Sequence, residues 1–139
     1  MPRFRFKLQK VLEYRERLEQ EAKDIYMDAR AKTIEAENEL ARMIESKKAV
    51  IHQPLSSLDD HLALDRYVQS CEDKERHQHL VIQVCETEEE EKRLLWIESK
   101  KEFQAIVKLR DNAFDEWQAE ENRLEQNALD EWAVLRRTA

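Results

Sequence analysis

The sequence predicts an all-α fold, an elongated antiparallel two-helix coiled coil with a short helical segment at its distal tip. The 139 residues include no glycine and only two prolines, Pro2 and Pro54, so two of the residue types that turns favour are nearly absent. Charged side chains make up 40% of the chain, and the apolar 41% recur every three or four residues. We therefore expect a single coiled-coil domain over residues 1–139.

The first long helix is predicted to span residues from about 3 to 52. Its apolar residues alternate in steps of four and three, which is the a/d seam of a coiled coil. Two steps of four follow each other around Ala29, and an extra residue of this kind locally unwinds a supercoil. The predicted seam comprises Phe4, Leu8, Val11, Arg15, Leu18, Ala22, Ile25, Ala29, Thr33, Ala36, Leu40, Met43, Lys47 and Val50.

Pro54 is predicted to end this helix, because its ring removes a backbone donor and disfavours helix at the preceding residue. Ser57 and Asp60 have the spacing of an acidic capping box, so a short tip segment is expected over about 57–75. The stretch "CEDKERHQH" lacks a clear seam, which indicates a bend before a long helix over about 77–137. The seam of that helix is predicted to comprise Trp96, Ser99, Phe103, Ile106, Arg110, Ala113, Trp117, Glu121, Leu124, Ala128, Glu131 and Leu135.

The second seam also has two consecutive steps of four, from Ala113 through Trp117 to Glu121. An antiparallel register is predicted by placing the two irregular points, Ala29 and Trp117, opposite each other. Arg15 then meets Glu131, and the remaining apolar seam residues face one another. The pairs are Val11 with Leu135, Leu18 with Ala128, Ala22 with Leu124, Leu40 with Ile106, Met43 with Phe103, and Val50 with Trp96. This register leaves Phe4, Phe6 and Leu8 with almost nothing opposite them, so the sequence predicts an exposed apolar docking tip. The alternative is a frayed terminus whose phenylalanines fold back.

The charge distribution favours the same antiparallel orientation. Residues 1–17 carry six basic and two acidic side chains, whereas residues 111–131 carry one basic and eight acidic side chains. Exposed ion pairs contribute little stability, so these charges select the orientation while the seam supplies the stability. Two placements fit Trp132, which lies one residue off the seam: half-packed, or part of the exposed tip.

Several classes of function are disfavoured. A net charge of −7 disfavours nucleic-acid binding, and the longest apolar runs are far too short to span a membrane. His77 and His79 point in nearly opposite directions on a helix, so no metal site is expected. With no glycine-rich phosphate loop and no assembled nucleophile and base, neither a cofactor nor an enzymatic activity is expected. Cys71 and Cys85 would lie about 20 Å apart on one helix, too far for a disulfide, which fits a reducing compartment.

Both ends of the chain resemble the FliJ family of flagellar type III export proteins. The N-terminal "FRFKLQKVLEYRERLEQEAK" is similar to the family's F-x-F-x-L-x-x-V-L-x-x-R start, and the C-terminal "AEENRLEQNALDEWAVLRR" is similar to its E-Q-x-x-L-D-E ending. The resemblance implies a cytoplasmic coiled-coil stalk, at most peripherally associated with the inner-membrane export apparatus. Its implied partners are the hexameric flagellar export ATPase, the cytoplasmic domain of the export gate membrane protein, and export chaperones.

Carried onto this sequence, the resemblance implies that the end holding both termini enters the ATPase ring. The implied partner-binding tip comprises Phe4, Phe6, Leu8, Val11, Leu12, Arg15, Glu125, Gln126, Leu129, Asp130 and Glu131. The middle of the chain matches no family motif, and the apolar residues Leu58, Leu62 and Tyr67 are our candidate distal partner face. The alternatives are the equivalent stalk of a virulence injectisome and a generic coiled-coil scaffold or adaptor.

Overall fold

The structure is a computed structural model that describes residues 3–138. It consists of two helices, α1 (Gln9–Ile51) and α2 (Leu58–Thr138), and no strand is present among the residues described. The two helices pack against each other as an antiparallel hairpin, which confirms the predicted all-α two-helix coiled coil. The chain divides into two compact units, Glu21–Ile97 and the remaining residues at its two ends, so the single domain stays a prediction.

The predicted short tip segment over about 57–75 is wrong as a separate element. α2 continues without interruption from Leu58 through the stretch "CEDKERHQH" to Thr138. That stretch contains no proline or glycine, and polar residues within it supply the helical seam. At the other end of the hairpin, α1 begins at Gln9 and not near residue 3, because the residues before it leave the helix to pack against α2.

The turn between the helices is built as its sequence predicts. Ser57 Oγ accepts a hydrogen bond from the Asp60 backbone N–H at 3.2 Å, so Ser57 caps the first turn of α2. The Asp60 carboxylate accepts hydrogen bonds from Ser56, from its backbone N–H at 3.3 Å and its hydroxyl at 3.0 Å. These bonds hold the pKa of Asp60 below its ordinary value. The second helix therefore starts where the capping signal placed it.

In the unit Glu21–Ile97, the helices interlock through a narrow seam that mixes small and polar residues. The buried side chains here are Ala29, Thr33, Ala36, Gln78 and Ile82. Gln78 donates a hydrogen bond from Nε2 to the Ala36 carbonyl at 2.8 Å, which satisfies a buried polar side chain across the interface. Small residues on α1 allow this close approach.

The same unit contains an ion pair and an aromatic stack between the helices. Lys47 Nζ lies 2.8 Å from a carboxylate oxygen of Glu75, and this hydrogen-bonded partner raises the pKa of Lys47. The rings of Tyr26 and Trp96 stack with centroids 5.4 Å apart. Lys47, which interrupts the apolar seam in the sequence, is therefore matched by a carboxylate on the opposite helix.

The predicted register is wrong. Trp96, expected opposite Val50, stacks on Tyr26, and Arg15, expected to meet Glu131, pairs with Glu102 at 2.6 Å. Trp117, expected opposite Ala29, packs against Phe4.

The physical reason for the shift is the tight turn at residues 52–57. Because α2 is unbroken, its residues immediately after the turn pair with the end of α1, and every later pair moves along α2. The irregular step around Ala29 is also absent. The half-buried or buried side of α1 runs in regular steps through Leu12, Arg15, Glu19, Ala22, Tyr26, Ala29, Thr33 and Ala36.

Candidate partner-binding surface

The candidate surface lies in the unit formed by residues up to 20 together with those from 98 onward. Here α1 covers α2 only in part. Leu12 is buried, with 4% of its surface exposed, and Arg15 Nη1 lies 2.6 Å from Glu102 Oε2. Phe103, Ile106, Ala113 and Trp117 are half-buried, as the sequence-based seam of α2 predicts.

The segment before α1, which we call the N-terminal strap (residues 3–8), crosses onto α2. The Phe4 ring meets Phe114 edge-on with centroids 5.3 Å apart and lies 5.9 Å from the Trp117 ring. Phe114 and Trp117 also contact each other at 5.8 Å. The predicted tip residues Phe4 and Phe6 are half-buried. The expectation that they lack a partner is wrong for Phe4, whose ring folds back onto α2 as the alternative predicts.

Beyond Glu121, every residue of α2 up to Thr138 is exposed. We call residues 122–138 the α2 tail; at 1.5 Å per residue it is about 25 Å long. The large apolar side chains that it exposes are Leu124, Leu129, Trp132, Val134 and Leu135. The sequence-based register assigned Leu124 and Leu135 to the buried seam, and the structure corrects that assignment.

Part of the tail forms one apolar face. At 100° per residue, Leu124, Ala128, Trp132 and Leu135 fall within an arc of about 80°. Trp132 is 58% exposed, and the Arg136 guanidinium lies over its ring at 5.0 Å. We call these four residues the tail face. Of the two placements left open for Trp132, exposure on an apolar surface is the one the structure shows.

Acidic side chains are concentrated before and along the first part of the tail face, whereas the whole tail carries three acidic and three basic side chains. Residues 111–131 carry eight acidic side chains and one basic side chain, Arg123. Arg123 Nε donates a hydrogen bond to Glu120 at 3.0 Å, and this bond lowers the pKa of Glu120. Gln126 donates to Asp130 at 3.1 Å on another side of the helix. The surface thus combines an apolar stripe with acidic side chains toward its upstream end and two arginines, Arg136 and Arg137, at its downstream end.

The two halves of the predicted tip are not brought side by side. Phe4 lies at the level of Phe114 and Trp117, whereas the second half begins at Glu125, about 12 Å further along α2. Leu8 and Val11 are exposed, but Leu12 is buried and Arg15 is engaged with Glu102. The exposed C-terminal members are Glu125, Gln126, Leu129, Asp130 and Glu131.

The three residues of the candidate distal face do not lie on one face of the continuous helix α2. Leu58 is 74% exposed and Leu62 is exposed beside it, separated by one turn. Tyr67 lies five residues after Leu62, about 140° around the helix, so it does not share their face. Tyr67 instead borders a groove with Met43 and Cys71, and its hydrogen bond with Cys71 raises the pKa of Tyr67.

Sequence reasoning missed the tail face, although a signal was present. α1 has 43 residues and α2 has 81. If α2 is unbroken and pairs with α1 directly after a tight turn, the far end of α2 must extend beyond α1. The polar seam residues Glu75 and Gln78 were missed as well, because a search for apolar periodicity passes over them. Their spacing to Ile82 fits the same alternation of four and three.

Other kinds of site find no support in the part of the chain described. Within residues 3–138, no cluster of three or more His, Cys, Asp or Glu side chains could hold a metal ion. A search of the same residues finds no helix long and apolar enough to cross a membrane. Cys71 and Cys85 are both free and half-buried.

A helical hairpin with an exposed and partly apolar tail is typical of coiled-coil proteins that act by binding other proteins. The family model described as "Flagellar FliJ protein" matches residues 4–137, nearly the whole chain. The chain belongs to this family, and it is a protein associated with flagellar type III export. Members of the family are non-catalytic accessory proteins that work with the export apparatus. Neither the curated proteins nor the solved structures compared with the chain include a match.

Proposed function

We propose that this protein is a stalk that docks into the ring of the flagellar export ATPase and couples it to the export gate and chaperones. It acts in the cytoplasm, peripherally to the inner-membrane export apparatus, and performs no catalysis itself. Family membership supports the flagellar setting, and the exposed tail face is the observation that supports docking.

The composition of the tail suits a protein interface. Binding energy at interfaces concentrates in a few side chains, most often Trp, Tyr and Arg, that become fully desolvated. Trp132 and Leu135 are 58% and 68% exposed, so both have most of their surface left to bury. Leu129, from the predicted tip, is 55% exposed and extends the apolar surface beyond the tail face.

The charge of residues 111–131, which include the first part of the tail, indicates the kind of surface that this end of α2 meets. Eight carboxylates along residues 111–131 favour a partner with basic side chains around an apolar pocket. The acidic members of the predicted tip, Glu125, Asp130 and Glu131, then contribute mainly to the rate and specificity of docking. Such contacts weaken as the salt concentration rises.

The N-terminal members of the predicted tip take a different part in this proposal. Leu8 and Val11 are exposed and remain candidate contacts, whereas buried Leu12 and ion-paired Arg15 position the hairpin beside the tail. At the turn end of the chain, exposed Leu58 and Leu62 are the proposed contacts for the export gate. Tyr67 lines a separate groove on another side of α2.

The proposal is tested by titrating the purified export ATPase with the full-length chain and measuring both affinity and ATP hydrolysis. A Trp132→Ala/Leu135→Ala variant is expected to bind about 10- to 100-fold more weakly, since two interface anchors are truncated. Stimulation of hydrolysis is expected to fall with it. The matched control is Leu80→Ala/Val84→Ala, which truncates two side chains of comparable exposure in the unit Glu21–Ile97.

Equal effects of the two double variants would contradict docking through the tail, and absence of binding by the unmodified chain would contradict docking altogether. The generic scaffold alternative is separated by light scattering, because it predicts a dimer that forms as concentration rises. An injectisome stalk is separated by exchanging the flagellar ATPase for an injectisome ATPase in the same titration.

A further inference from the structure

We propose that the N-terminal strap is a displaceable cover over the upstream end of the tail face. When it opens, Phe114 and Trp117 join Leu124, Ala128, Trp132 and Leu135 in one surface. The strap therefore competes with the partner that the tail face binds, and this inference rests on the proposed docking function. Phe4 is then an internal competitor of the partner and not, as the sequence resemblance implies, a docking residue.

The first support is the continuity of the two surfaces. Phe114 and Trp117 fall within the same arc of about 80° as the tail face when α2 is followed at 100° per residue. The combined face would extend for about 32 Å from Phe114 to Leu135. Phe4 covers only its first turn, and the remainder is exposed.

The second support is the limited attachment of the strap. Arg3–Phe6 adopt no regular secondary structure, and the described backbone bonds nearby run from Gln9 N–H to the Phe6 carbonyl and from Leu12 N–H to the Leu8 carbonyl. These bonds anchor the strap to the start of α1. Phe114 remains 41% exposed beneath the Phe4 ring, so the cover is incomplete.

Packing between the strap and α2 is also open. A groove of about 670 Å³ lies between Phe4, Arg5 and Phe6 on one side and Arg110, Asp111 and Phe114 on the other. A contact of this kind is compatible with an open minor state populated at about 0.1–10%.

The third support is charge. The strap and the first turn of α1 carry Arg3, Arg5, Lys7 and Lys10 without an acidic residue. Residues 111–121 of α2 carry only acidic charges, which are Asp111, Asp115, Glu116, Glu120 and Glu121. Attraction between exposed charges holds the strap closed at low salt and is screened at high salt.

The first arm of the test needs no partner. Trp117 is made the only tryptophan by Trp96→Phe and Trp132→Phe, and its quenching by acrylamide is measured. We expect Phe4→Ala to increase the quenching constant about twofold or more, and added salt to increase it with Phe4 intact but not in Phe4→Ala. Tyr14→Ala, which truncates an exposed aromatic residue on α1, is the matched control and should change neither value.

The second arm measures affinity for the export ATPase with all three tryptophans present. Removal of an internal competitor raises the fraction of chains competent to bind from at most about a tenth to nearly all, so Phe4→Ala should bind at least about tenfold more tightly. Weaker binding by Phe4→Ala would overturn the proposal and identify Phe4 as a docking residue. Quenching that does not respond to Phe4→Ala or to salt would overturn it as well.

The two arms distinguish failure of the strap from failure of the proposed function. If the unmodified chain does not bind the ATPase, docking fails, and the salt dependence of Trp117 quenching alone decides whether the strap opens. If the chain binds and Phe4→Ala binds with unchanged affinity, docking stands and the competing strap is rejected.

Discussion

Individual polar residues determine how the two helices meet. Gln78 bonds to the Ala36 carbonyl, and Lys47 pairs with Glu75, both within a seam otherwise made of small and apolar residues. A polar seam residue fixes the register of a coiled coil because a shifted register would leave it without a partner. The register of this hairpin therefore depends on residues that an apolar pattern does not detect.

At the residue scale, the structure separates Leu12 from Leu8, which the sequence placed together in the docking tip. Leu12 is 4% exposed, so Leu12→Ala should lower the free energy of unfolding by about 2–3 kcal/mol through lost burial and a cavity. Leu8 is 40% exposed, and Leu8→Ala should lower it by less than about 1 kcal/mol. Urea unfolding followed by circular dichroism measures both.

A loss of the same size in the two variants would contradict the burial of Leu12 in the seam. A second comparison is the affinity of each variant for the ATPase, measured without urea and at a temperature where both variants are folded. If Leu12→Ala keeps its helical content but loses docking more than Leu8→Ala does, Leu12 is a contact residue and its buried position is not the one used in the complex.

At the element scale, α2 contains a paired part and an unpaired part. A helical segment that packs against nothing is only marginally stable in water, because most helical stability in proteins comes from packing. The tail, residues 122–138, has no covering helix among the described residues, whereas Phe103–Trp117 lie against α1 and the strap. The tail should therefore be the least protected part of α2.

Hydrogen exchange of the full-length chain measures this difference. Backbone amides of the tail should exchange at least about tenfold faster than those of residues 103–117, because they open locally at little free-energy cost. Added ATPase should slow exchange in the tail. Equal protection of both parts in the chain alone would show that the tail is covered, for example by a second copy.

Much of each element could be predicted from sequence, and the register could not. The absence of glycine, the position of Pro54 and the Ser57 cap were sufficient to place two long helices and the turn between them. The half-buried side of α2 from Trp96 to Glu121 also follows the apolar pattern. The pairing failed because a heptad pattern repeats, so several registers satisfy it almost equally.

The candidate site was predictable in its location near the chain ends but not in its composition. The sequence indicated an exposed apolar surface there and assigned it to Phe4, Phe6 and Leu8. The structure exposes the C-terminal apolar residues of α2 instead, and it packs Phe4 onto Phe114 and Trp117. Which helix extends beyond the other depends on the turn and on the continuity of α2. The predicted break near residue 76 was incorrect, and with it the sequence predicted that α1 extends beyond α2, whereas α2 extends beyond α1.

At the scale of the whole molecule, the central claim is that this member of the FliJ family binds the export ATPase through the α2 tail. All the elements of that claim can be placed on one chain: an anchored hairpin, a tail with an exposed apolar face, and a strap at its upstream end. Binding assays with truncated side chains report on the claim indirectly, since a variant can also change folding.

The most direct measurement is site-specific photocrosslinking to the purified export ATPase in the presence of nucleotide. A photoreactive phenylalanine analogue is placed at Leu135 in one full-length chain and at Val84 in another, two positions that are 68% and 67% exposed. We predict a crosslinked product with the ATPase from position 135 and none from position 84. A product from position 84 alone, or equal products from both, would contradict docking through the α2 tail.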